Sequence, residues 1–128
     1  MANKRKNNEE TRRLLLSWVM VLAAHLQDEH GMTRSEALKR AYLVSDLLDG
    51  MGRGTAEFTY RKGTGKVRHA RGTLCKDVSE RFDNYEYKRE TQNLSASTGI
   101  FTYWDLDAEN FRTFTANRLM EIIEIRVK

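Results

Sequence analysis

Arginine and lysine crowd one short stretch of this 128-residue chain. Between Arg53 and Cys75 stand six cations, Arg53, Arg61, Lys62, Lys66, Arg68 and Arg71, against the single acid Glu57, a net of +5. The whole chain carries only +4, so the remaining residues sum to −1. Charge of one sign gathered on one element costs self-repulsion, and it usually faces something negative. Guanidinium and ammonium groups hold phosphates and carboxylates through charge-assisted hydrogen bonds. The chemistry on offer is recognition of an anion.

Spacing refines this. Lys66 and Arg68 lie two apart, about 6.6 Å along one strand face, which suits adjacent phosphates and equally a solvated face. Arg68 and Arg71 are three apart and point to opposite faces of a regular strand. One groove can take both only if a bulge near Gly72 resets the alternation, or if the groove lies at a strand edge. Arg71 also has a plainer role, a cross-strand ion pair with Glu57 of about 0.2–1 kcal/mol. Arg112 can fork onto a phosphate or answer Asp105 across a hairpin. Tyr60, Phe101, Tyr103 and Trp104 can stack bases, although aromatics at strand spacing more often form core. Cys75 reads first as a small buried residue.

No catalytic constellation stands out, so the expectation is a protein that is not an enzyme and needs no cofactor. Cys75 and His69 are about 20 Å apart in extended chain, too far for a nucleophile and its base. The acids Asp105, Asp107 and Glu109 lead into a turn without further ligands for a hard cation. The run Gly63-Thr64-Gly65-Lys66 lacks the spacing and the following Ser or Thr of a phosphate-binding loop. One cysteine excludes an intramolecular disulfide, and one Cys with three scattered His has no zinc-ligand spacing.

Two helices precede the basic stretch. Asn7 or Asn8 can cap the first, Glu9 and Glu10 suit its first turn, and Gly31 ends it. Its middle, Leu14 to Ala24, is apolar on nearly every side and calls for cover all round, from other elements or from a partner. It is too short to span a bilayer. A signal-peptide core is the other pattern it resembles, but Glu9 and Glu10 spoil the positive leader, and no membrane partner is expected. Thr33 and Glu36 form a capping box for the second helix, with Ala37, Leu38, Ala41, Val44 and Leu48 at helical spacing. Gly50, Gly52 and Gly54 should end it at a flexible joint, with Gly52 to Thr55 as the linker. As a DNA-reading pair the hairpin is weak, since Asp46 and Asp49 follow its few cations.

From Ala56 the period becomes two. Ala56, Phe58 and Tyr60 alternate with Glu57, Thr59 and Arg61. Gly63-Thr64-Gly65 makes the turn, and Lys66 to Cys75 returns with Phe58 opposite Ala70 and Glu57 opposite Arg71. Residues 76–98 form a long polar excursion with a helical turn near Val78 to Phe82. Strands follow at Ile100–Leu106 and Phe111–Thr115, then one tight helical turn at Ala116–Arg118 and a last strand from Leu119 to Val127. Five short strands with a single turn before the last is the plan of an SH3-like barrel.

The run F-T-Y-R-K-G-T-G-K-V-R-H-A-R-G-T-L, followed by F-T-Y-W-D-L-D and F-R-T-F, resembles the second WYL-like family of Sm-like SH3 β-barrels over about residues 55–125. The resemblance implies a ligand-sensing barrel in bacteria or their phages, with a basic groove that often includes a cysteine. Nucleotides or nucleic-acid fragments are its implied ligands. Carried onto this chain, the groove residues are Arg61 or Lys62, Arg68, Arg71, Cys75 and Arg112, beside the Lys66 already noted.

The expected class is α+β: an N-terminal antiparallel helical hairpin over residues 1–54, then a small five-stranded SH3/Sm-like β-barrel over 55–128, with its insertion at 76–98. The expected function is a cytoplasmic regulatory or accessory module whose groove binds a nucleotide or nucleic acid. The competing expectation is an interaction module that forms a homo-oligomer through its apolar N-terminal helix.

Overall fold

The computed structural model describes residues 2–78 and 95–128, with side chains from Glu9 onward. Helix α1 runs Ala2–His30, beginning earlier than the Asn7 or Asn8 cap expected from sequence. It ends at Gly31, whose φ of 64° is a left-handed conformation that glycine adopts without strain. Helix α2 runs Arg34–Arg53, and the Thr33 hydroxyl accepts the Glu36 N–H at 3.2 Å as the capping box requires.

No flexible joint follows. Helix α2 continues through Gly50 and Gly52, and strand β1 (Gly54–Arg61) starts at the next residue. Gly50 is there for close packing: a methyl group on it would lie 2.7 Å from the Ile125 side chain. The expected linker is therefore a direct junction. Thr73, fully buried, stitches it by donating its hydroxyl to the Gly54 carbonyl at 2.6 Å.

Strands β2 (Val67–Thr73), β3 (Ile100–Asp105), β4 (Asn110–Thr115) and β5 (Leu119–Val127) complete a five-stranded antiparallel sheet in the order β4-β3-β2-β1-β5. A 3₁₀ turn, Ala116–Arg118, links β4 to β5 as the sequence predicts. The β1–β2 register places Phe58 opposite Ala70 and Glu57 opposite Arg71, also as expected. It runs without a break past Gly72, so no bulge resets the alternation there. The irregularities fall between β1 and β5, at Glu57/Phe58 and Thr59/Tyr60. Gly72 has a packing reason instead, since a methyl group would lie 2.6 Å from the Tyr103 ring and 3.2 Å from Phe58. Of the 76–98 excursion, residues 95–98 form a helical turn, while the turn expected at Val78–Phe82 lies almost wholly outside the described residues.

Hairpin and barrel share one core. Val19, Leu22 and Leu26 of α1 and Val44, Leu47 and Met51 of α2 join Phe58, Phe101, Tyr103, Phe114 and Leu119 of the sheet in a single buried cluster. The Trp18 and Phe101 rings are 5.8 Å apart across that boundary. Cover of α1 is one-sided, however: Leu14 and Leu16 are each 52% exposed, and Met20 and Val21 each 43%. Among the described residues, no helix is long and apolar enough to cross a membrane.

Candidate functional site

Strand β2 pairs with β3 at only two positions, Gly72 with Asp105 and Thr73 with Trp104. Residues 67–70 are thus joined to β1 alone, the Arg71 carbonyl still accepting the Leu106 N–H at 2.9 Å just past β3, and the tip of the β1–β2 hairpin stands clear of β3. Between that tip and β4 opens a cleft of about 530 Å³, lined by the end of β1, by Arg68, by Phe111 to Thr115 and by Arg118 of the 3₁₀ turn. Five of its lining residues are cations, Arg61, Lys62, Arg68, Arg112 and Arg118, and none is an acid.

Register decides which cations reach it. Tyr60 faces Arg68 across β1–β2, and Tyr103 faces Arg112 across β3–β4. Directly opposed residues share a sheet face, so both arginines are on the inner face with the core tyrosines. The two phenol oxygens are hydrogen-bonded at 2.8 Å, and Tyr60 lines the floor. Burial pushes the Tyr103 phenol well above the ordinary tyrosine value; the hydrogen bond to Tyr60 and the nearby Tyr60 and Asp105 add to this, and Arg68 opposes it.

Arg112 is held from behind. Its Nε lies 3.1 Å from Asp105 Oδ2, an ion pair in which the N–H line misses the oxygen. Asp105 is 4% exposed, and its other oxygen accepts the Asp107 and Ala108 backbone N–H groups, each at 2.9 Å. Those bonds make a buried carboxylate tenable and fix the strand end from which Arg112 faces the cleft. The alternative reading of Arg112, an answer to Asp105, holds together with its place in the cleft. Thr115, also in the lining, has a buried hydroxyl with no hydrogen-bond partner among the described residues.

Arg61 Nη1 donates to the Gly65 carbonyl at 3.0 Å and braces the hairpin turn. Arg118 reaches that turn from the opposite wall: a methyl group on Gly63 would lie 3.6 Å from its Nη1. The 3₁₀ turn carrying Arg118 is fastened by Arg40 of α2, whose Nη1 donates to the carbonyls of Ala116 (3.3 Å), Asn117 (3.0 Å) and Leu119. Burial lowers the Arg40 pKa from its usual value.

The remaining sequence-predicted residues lie elsewhere. Arg71, on the opposite face from Arg68, pairs with Asp107 at 3.2 Å rather than with Glu57, its register partner. It lines a separate, smaller depression of about 140 Å³ together with Glu57, Glu124 and Arg126. Lys66 is exposed in the turn outside the cleft lining. Cys75 is half-buried near the helix–barrel junction, its N–H donated to the Thr73 hydroxyl at 3.0 Å. The structure thus brings together Arg61, Lys62, Arg68 and Arg112 and leaves out Lys66, Arg71 and Cys75. Arg118 was missed in sequence because it stands alone in a turn more than 45 residues beyond the basic cluster. Its one signal was its place at the end of the tight turn before the last strand. Among the described residues, no group of three or more His, Cys, Asp or Glu could hold a metal ion.

Two helices leading into a five-stranded antiparallel sheet, with a 3₁₀ turn before the last strand and a cleft at one end, define an SH3-like barrel. Residues 44–120 match the family described as WYL_2, Sm-like SH3 beta-barrel fold, and the chain belongs to that family. The match starts inside α2, so it takes in part of the hairpin as well as the barrel. No curated protein and no solved structure matches the chain. A domain of this kind is in general a binding or regulatory module.

Proposed function

We propose that the cleft binds a phosphate-bearing ligand, a nucleotide or a short piece of nucleic acid, and that the protein is a non-enzymatic regulatory or accessory module of the cytoplasm. The observation that carries this reading is the lining itself: five cations, no carboxylate, and one of the five already steadied by a buried acid. Such a concentration is unfavourable until an anion enters, and the cleft volume lies within the range of small-molecule sites. Tyr60, Phe111 and Phe114 supply apolar surface beside the charges, as a base or ribose requires.

The test is a titration of the full chain with a nucleoside triphosphate and with a short oligothymidine, repeated at several salt concentrations. Contact with three phosphates of a single strand is expected to give a log–log salt slope near −2. Arg68→Ala and Arg118→Ala should each weaken binding about tenfold or more, the order expected for a lost charge-assisted contact. Arg71→Ala should leave affinity unchanged, because its side chain is on the other face. Equal affinity in the Arg68 and Arg118 variants would sink the assignment.

A further inference from the structure

Among the described residues, the outward side of α1 has no partner within the chain. Val19, Leu22, Ala23 and Leu26 turn into the core, whereas Arg13, Ser17, Met20, Val21, Ala24 and Asp28 are all exposed. At 3.6 residues per turn these six fall within about 100° of the helix circumference, one continuous stripe. Exposed apolar surface of this kind, bounded by polar residues, marks an interaction site.

The stripe is symmetric in spacing and chemistry. Arg13 and Asp28, Ser17 and Ala24, Met20 and Val21 are each placed equally about the midpoint between Met20 and Val21. We propose that a second copy of this chain packs antiparallel across this stripe. A two-fold axis at the midpoint sets Met20 on Val21, small Ser17 on small Ala24, and the Arg13 guanidinium on the Asp28 carboxylate at both ends. The small pair lets the helices approach closely. Among the described residues, neither Arg13 nor Asp28 is ion-paired within its own chain. Parallel packing sets Arg13 on Arg13 and Asp28 on Asp28, which is repulsive. An anionic lipid surface suits the face less well, because Glu10 and Asp28 lie on the same side of the helix as the apolar residues. Nothing here depends on what the barrel cleft binds.

Sedimentation equilibrium of the full chain over about 1–100 μM should show a monomer–dimer equilibrium in the range typical of modest interfaces. Val21→Glu, on an exposed site that leaves the fold intact by circular dichroism, should abolish it. R13E or D28R alone places like charges at both ends and should weaken dimerisation about tenfold. An equimolar mixture of R13E and D28R chains restores opposite charges at both ends of an antiparallel pair, and so should recover wild-type affinity. A monomer at every concentration, a dimer indifferent to Val21→Glu, or no recovery in the mixture would each overturn the proposal. So would a chain that stays monomeric and floats with phosphatidylglycerol vesicles.

Discussion

Single side chains divide the basic stretch into two populations that composition cannot separate. Arg68 and Arg71 belong to the same strand and carry the same charge. Parity sends Arg68 to the inner face beside Tyr60 and Tyr103, and Arg71 to the outer face against Asp107. The phenol at the cleft floor offers a test of that burial. Because the folded-state pKa of Tyr103 is raised above the ordinary value of about 10, its contribution to stability is complete below that pH. The contribution is lost as pH climbs from about 10 toward the folded-state value, with a slope of at most about 1.4 kcal/mol per pH unit. Chemical denaturation of the wild type and of Tyr103→Phe between pH 8 and pH 11 should therefore show a difference that shrinks only above about pH 10. A constant difference across that range would mean that the phenol ionises as freely as in solution.

At the scale of elements, the cleft exists because two hairpins part. Strand β2 leaves β3 after two residue pairs, and the 3₁₀ turn closes the opening from the far side. Arg40 ties that turn to α2 with three carbonyl acceptors, so the helical hairpin helps to hold the cleft's Arg118 wall. Arg40→Met keeps the packing stem but takes the guanidinium donor from those carbonyls, of which Ala116 still accepts the Leu119 N–H, at a cost of about 1–3 kcal/mol. The expected result is a lower midpoint in urea together with weaker ligand binding than the stability loss alone explains. Normal affinity at a temperature where the variant is folded would show that the tether does not shape the cleft.

The molecule as a whole packs around one buried cluster, although the sequence reads as a helical half and a barrel half. Leu22, fully buried on α1, packs in the same cluster as Phe58 and Phe101 of the barrel. Leu22→Ala should cost about 2–5 kcal/mol, as for other fully buried leucines. It should lower the midpoints of helix ellipticity and of tryptophan fluorescence, which reports Trp18 and Trp104, by the same amount. Separate midpoints would reveal two independent units.

Periodicity, caps and turns are local properties, and they were legible. The helix end at Gly31, the Thr33 cap, the hairpin register, the 3₁₀ turn and the succession of five short strands follow from neighbours in the chain, whereas the pairing of β1 with β5 does not. The concentration of charge was equally plain, and with it three of the five cleft cations, Arg61, Lys62 and Arg68; Arg112 came instead from the family resemblance. What stayed hidden depends on approach between distant segments. Gly50 was misread as a helix breaker because Ile125, which occupies the space beside it, is 75 residues away. Arg118 was unmarked because nothing in its own turn says that the β1–β2 tip lies opposite. Sequence alone therefore determined which elements form and which of them carries the charge, since both rest on local backbone and side-chain preference. Only tertiary structure decided which charges face one another, because that rests on strand parity and on how the sheet curls β4 back toward β1.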